Sequence, residues 1–186
     1  AAQARQNMPQ AADRIAVHDS LTTTMAMGWQ VLTAARAAEA GESLHNCLRI
    51  AEHAREMSGV LFVVETLEFL RRGGRIGGAQ ALLGTALNIK PVLEMQNGRI
   101  ESLEKVRTKG KALERLLDLT VERIGSRKPV RLATVHANTE AEAQALLKAA
   151  SERMDPVETL CCPLSPVIGT HAGPGTVALN YMAGVD

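Results

Sequence analysis

Val60-Leu61-Phe62-Val63-Val64 is an unbroken apolar run. A short run of this kind, rich in β-branched residues, marks a strand covered on both faces. Towards the N-terminus, Ser43 reads as the cap of a helix over Leu44 to Met57, and Gly41 closes an earlier helical pattern from about Thr22 to Ala40. Arg14 to His18 reads as a short strand ending at Asp19-Ser20. The first 65 residues therefore predict strand, helix, helix, strand, an α/β beginning at one edge of a doubly wound sheet.

Towards the C-terminus the texture changes after Thr66. Leu67 to Arg72 predicts a helical turn closed by Gly73-Gly74, and Gly77-Gly78 introduce a helix through Ala86. Residues 89–107 predict a hairpin with Asn97-Gly98 at its tip, because both central residues of a type I′ turn need positive φ. Pro91 lies in the first arm, which should then be an edge strand or begin outside the ladder. Leu113, Leu116, Leu117, Val121 and Ile124 share one face of a helix from Lys109 to Ile124. Val130 to Val135 predicts a strand, Thr139 and Glu142 a capping box on a helix to Met154, and Val157 to Cys161 another strand. A glycine-rich loop and a last strand over Thr176 to Tyr181 complete a compact α/β unit over 67–186.

The chain has 186 residues and a formal net charge of +1, and only 2% of it is aromatic. Near-neutral charge argues against a general polyanion binder, and so few rings argue against base stacking, so nucleic acid is not the expected partner. No apolar run approaches a membrane span, and the first residues carry no apolar leader segment. Cys47, Cys161 and Cys162 form no framework, as expected in a reducing, cytoplasmic setting; the adjacent pair should point to opposite faces of a strand. His18, His45, His53, His136 and His171 are scattered, and no metal-ligand spacing or nucleophile elbow is present, so neither metal nor cofactor is expected.

Three segments carry polar chemistry. In Ser165-Pro166-Val167-Ile168-Gly169-Thr170-His171-Ala172-Gly173-Pro174-Gly175-Thr176, glycines around one histidine allow close approach of a carboxylate or phosphate. The pattern alone equally allows a tight turn with a satisfied histidine. Gly73-Gly74-Arg75 fixes an arginine on a bend, whereas Arg71 and Arg72 fit a solvated face. Lys105-Val106-Arg107-Thr108-Lys109-Gly110-Lys111 brings positive charge to a helix start, a local anion trap. Residues 67–115 hold ten Lys or Arg against five Asp or Glu, so a basic face is expected.

LEFLRRGGRI (67–76), LLGTALNIKPVLEMQNGRI (82–100), KVRTKGKA (105–112) and SPVIGTHAGPGTVALNY (165–181) together resemble the DegV family of bacterial fatty-acid-binding proteins. The resemblance runs from Val-His-Asp-Ser to Tyr181. It implies two α/β domains with a fatty acid between them, and delivery of the acyl group to a separate fatty acid kinase that makes an acyl phosphate. It places His171, with Gly169 and Thr170, at the fatty-acid carboxylate, and links Arg75 and Arg107 to transfer with the kinase. Family members begin with hydroxyl-rich stretches that help bind the carboxylate, and this chain starts just after the last of them. The resemblance thus implies that 1–65 is the remainder of an N-terminal domain and 66–186 the C-terminal domain. Part of the lipid site is then missing, and the uncovered apolar face favours a homo-oligomer. The expected function is a non-enzymatic carrier with a long-chain fatty acid as its ligand. The alternative is a hydrolase or transferase acting on an anionic substrate at the His171 segment.

Overall fold

The structure, a computed structural model, describes residues 2–83 and 89–185. Its helices are α1 (Ala2–Gln6), α2 (Thr24–Glu39), α3 (Leu44–Glu56), α4 (Glu68–Arg72), α5 (Lys109–Ile124), α6 (Glu140–Met154) and α7 (Pro166–Ala172). Its strands are β1 (Ser58–Val63), β2 (Lys90–Gln96), β3 (Arg99–Val106), β4 (Val130–His136), β5 (Glu158–Pro163) and β6 (Val177–Ala183). The strands form one sheet in the order β3-β2-β1-β6-β4-β5. Only β4 and β5 run parallel; the other neighbours are antiparallel.

The apolar run makes β1 an inner strand. Leu61 and Val63 face α5 and α6, in a cluster with Leu116, Leu132, Leu146 and Leu179. Val60 and Phe62 face the other side, with Leu70, Leu93 and Ala178. There α2 packs on the sheet through Trp29, which is wholly buried with Ala54, Ala133 and Met182, and α3 packs on α2. Alternation along β5 splits the cysteines as expected: Cys161 joins the α5–α6 cluster and Cys162 the opposite one.

Several expectations change. Arg14 to His18 forms no strand: Pro9–Arg14 is a 3₁₀ turn, and the neighbours that a further strand would need on β1 are already β2 and β6. β1 consequently does not lie at the edge of a doubly wound sheet. It comes from 1–65, yet it is hydrogen-bonded on both sides by strands from 66–186, so the sheet crosses the expected boundary. Pro91 sits in an inner strand. It pairs with Lys105 of β3 and lies one residue before the register with β1, where its missing N–H costs no ladder bond. Asn97 and Gly98 have φ of 50° and 76°, as the hairpin turn requires. Gly77–Leu82 is a 3₁₀ turn, and the expected continuation to Ala86 lies outside the described residues.

The capping box at α6 does not form. Thr139 makes no side-chain cap; its hydroxyl points to the Thr176 carbonyl at 3.4 Å, and Glu142 pairs with Lys109 at 2.5 Å. The glycine-rich segment is not a loop throughout. Ser165 caps α7 by accepting from the Ile168 amide, Pro166 opens the helix, and Gly173 at φ 82° ends it. Among the described residues no helix is long and apolar enough to cross a membrane.

Candidate functional site

An apolar cavity of about 210 Å³ lies on the α2 side of the sheet. Its floor is Val60, Phe62 and Ala178 of β1 and β6, and one wall is Met95 and Ile100 of the β2–β3 hairpin. Leu164, Val167, Ile168 and Ala172 form the wall around α7, with Leu70 from α4. Polar residues stand at the margins: Arg75, His171 and Thr176 with α4 and α7, and Thr23 and Thr24 at the start of α2.

His171 lies in the last turn of α7. Its ring rests against Gly73, the residue that closes α4, where a Cβ would collide with His171 Nδ1. Gly173 likewise leaves room for the Phe69 ring. His171 Nδ1 is buried and has no hydrogen-bond partner among the described residues. A buried polar atom left unpaired costs about 1–3 kcal/mol. Arg75 reaches back from the same bend, its Nη1 donating to the Gly73 carbonyl at 2.9 Å, and no ion pair holds it among the described residues.

The structure therefore brings His171 and Arg75 together around Gly73. It places Gly169 and Thr170 on α7 outside the cavity lining. The Gly169 amide donates to the Ser165 carbonyl and the Thr170 hydroxyl to the Val167 carbonyl, so the helix uses both donors and the segment forms no nest of free amides. Arg107 is exposed, precedes α5 and is likewise outside the lining.

The basic face is only half neutralised. Glu68 binds Arg71 and Arg72, and their guanidinium groups hold its carboxyl down to about 2. Lys109 is taken up by Glu142 at 2.5 Å and Glu65 at 3.6 Å, and Lys90 by Glu65 at 2.5 Å. Hydrogen bonding from Lys90 keeps the Glu65 carboxyl below the ordinary glutamate range. Thr108 caps α5, accepting from the Lys111 amide at 3.4 Å. The expected anion trap at this helix start thus loses Lys109 to carboxylates. Lys105, Arg107 and Lys111 remain exposed and make no ion pair among the described residues.

Two features were not anticipated from the sequence. Asn180 of β6 is fully buried. Its Oδ1 accepts from the Ala26 amide at 3.0 Å and the Thr24 hydroxyl at 2.5 Å, and its Nδ2 donates to the Ala133 carbonyl at 3.2 Å. It caps α2 from another strand, since Thr23 makes no side-chain cap. Thr24 itself sits at φ 56°, a strained conformation for a β-branched residue, at the margin of the cavity. The sequence signals were the lone amide in Val-Ala-Leu-Asn-Tyr and the run Thr22-Thr23-Thr24. Among the described residues no cluster of His, Cys, Asp or Glu could hold a metal.

A sequence model described as "Uncharacterised protein, DegV family" matches residues 1–184. A DegV domain-containing protein of Streptomyces coelicolor is 41% identical over 166 residues, 89% of this chain and 59% of that protein. Protein DegV of Bacillus subtilis is 35% identical over 164 residues, 88% of this chain and 58% of its own length. The chain thus spans about three fifths of the length of the relatives it matches. Among solved structures, a DegV family protein from Thermus thermophilus described by its fatty acid binding superposes with a TM-score of 0.87 at 36% identity, over 96% of this chain and 66% of that one. DegV from Bacillus subtilis, described as a fatty acid binding protein, gives 0.79 at 34% identity, over 89% and 59%. The match over nearly the whole chain, in sequence and in fold, shows that this chain belongs to the DegV family.

Proposed function

We propose that the protein binds a long-chain fatty acid, with the acyl tail in the apolar cavity and the carboxylate at the His171 end. One observation carries this reading: the apolar slot is lined at one end by the His171 imidazole, and the neighbouring Arg75 guanidinium makes no ion pair among the described residues. Such a slot complements an amphiphile with one anionic head. The relatives described as fatty acid binding support it.

The cavity of about 210 Å³ is below the roughly 300–1,000 Å³ of a complete small-molecule site. We therefore assign it part of the tail. With Val167 at the mouth 74% exposed, the open apolar face favours self-association of this chain.

The protein is then a cytoplasmic carrier rather than an enzyme, presenting its acid to a separate kinase that forms the acyl phosphate. The hydroxyls of the α7 segment support this over a hydrolase or transferase: Ser165 accepts from Ile168 and Thr170 donates to Val167, so neither is paired with His171 as a nucleophile. Arg107, exposed and without an ion pair among the described residues, serves kinase docking, and Arg75, at the cavity margin, serves transfer.

The test is a titration with hexadecanoic acid of this chain and its His171→Ala variant. A charge-assisted hydrogen bond to a carboxylate contributes about 1.5–3 kcal/mol, so the variant should lose about ten- to a hundredfold in affinity. Equal affinities would remove His171 from the head-group site.

A further inference from the structure

A second hollow adjoins the cavity across a wall of Met95 and the 20–24 turn. That hollow, about 360 Å³, is lined by polar groups including Ser20, Thr22, Arg55, Ser58 and Gln96. Met95 stands in the lining of both. The rest of the wall is the 20–24 turn, and it is fixed. The Gly98 amide at the hairpin tip donates to the Leu21 carbonyl at 2.8 Å. The Leu21 amide donates to Asp19 Oδ1 at 3.1 Å, and the Ser20 hydroxyl to the Thr22 carbonyl at 3.1 Å. Asn180 holds Thr24 from the buried side. Leu21 and Thr24, at φ 52° and 56°, keep left-handed conformations that only such fastening maintains.

In a wall whose backbone is pinned, the adaptable part is a half-buried methionine on β2. A thioether side chain is unbranched, flexible and apolar, and fills space up to whatever it meets. It also seals an apolar compartment from a polar one, which limits how far a hydrocarbon tail gains from extending.

Resting on the reading of the cavity as an acyl site, we propose that Met95 is the specificity-determining residue that sets the length of the acyl chain the cavity accepts. The tail runs from His171 towards Thr24, and its terminal methyl group meets Met95. Methylenes beyond that point gain no burial. Each methylene that does gain burial raises affinity about fourfold. Met95→Ala removes the side chain beyond Cβ and makes room for about two further methylenes. Met95→Phe fills the same space more rigidly.

The experiment titrates this chain and both variants with straight-chain saturated acids from octanoic to octadecanoic, reading dissociation constants from the methyl NMR signals of Ile168 and Ile100. Affinity should rise with length and then level off. The plateau should begin about two methylenes later in Met95→Ala and earlier in Met95→Phe. Thermal melts of both variants identify any that fails to fold, and either variant alone decides the direction of the shift. If the acids bind but the plateau begins at the same length in all three proteins, Met95 is not the stop. If no acid of any length moves the Ile168 or Ile100 signals in the original chain, the acyl-site reading itself falls, and this inference with it.

Discussion

The His171 ring occupies the space that a side chain at Gly73 would fill. Gly73 has φ −75° and ψ −5°, which any residue adopts, so its glycine is required by the neighbour and not by the backbone. Gly73→Ala is therefore a steric probe of one contact. Overpacking of this kind costs about 1–3 kcal/mol. In a His171→Ala background the same change should cost almost nothing, since the obstacle has gone. Urea unfolding of the four proteins measures the coupling. An unchanged cost in the double variant would show that Gly73 answers to something other than the histidine.

Asn180 offers a second test, on the far side of the cavity. Asn180→Ala strands the buried Ala26 amide and removes one partner each from the Ala133 carbonyl and the Thr24 hydroxyl, which keeps its bond to the Thr23 carbonyl. With about 1–3 kcal/mol for a buried group stranded, the loss should be at least about 1 kcal/mol. Amide exchange should accelerate first at Ala26 and its neighbours, where the cap of α2 is lost. A stability change within about 0.5 kcal/mol would mean that water replaces the amide at no cost.

Glu158 ties the start of β5 to the end of α2, with Arg36 at 2.9 Å and Arg131 at 3.3 Å. The hydrogen bond from Arg36 holds its carboxyl below the ordinary value of 4.5. A carboxyl lowered by folding stabilises the protein above its unfolded pKa, and that contribution is lost as pH falls through the folded pKa. Glu158→Gln should thus lower stability at neutral pH by no more than about 1 kcal/mol, because the pair is partly solvated. The two unfolding curves should converge below about pH 4. A difference that persists at pH 2 would mean that the glutamine disturbs packing instead.

Arg107 and His171 should separate delivery from holding. Arg107→Glu reverses an exposed charge that lies outside the cavity lining. Fatty-acid affinity should change less than twofold, whereas acyl phosphate formation with the proposed partner, a fatty acid kinase, should drop and become less sensitive to ionic strength. His171→Ala should lower fatty-acid affinity about ten- to a hundredfold, and at saturating acid its acyl phosphate formation should keep its sensitivity to ionic strength. Parallel loss of binding and transfer in Arg107→Glu would place that arginine in the site or in the fold.

Local patterns made most elements legible. The Val60–Val64 run, Ser43, Asn97-Gly98 and the leucine spacing of α5 each depend on residues close in sequence, and each appears where expected. What was not legible depended on distant partners. Whether β1 was an edge or an inner strand turned on antiparallel pairing with β6, more than a hundred residues away. The Thr139 capping box was displaced by the pairing of Glu142 with Lys109, across to α5. Pro166 and Ser165 signalled a helix start, but the surrounding glycines made the segment read as loop. At the site, His171 and Arg75 stood out because glycines flank them. Thr24, Met95 and Asn180 did not, because what they do is set by elements that only the fold brings together.

The proposed acyl site has the tail in the cavity and the carboxylate at His171. A crystal structure of this chain soaked with tetradecanoic acid tests it most directly. The expected result is a continuous ligand over Phe62 and Ala178, its carboxylate within hydrogen-bonding distance of the His171 imidazole and its terminal methyl group towards Met95. A ligand lying in the reverse direction, with its carboxylate at Thr23 and Thr24, or bound only outside this cavity, would contradict it.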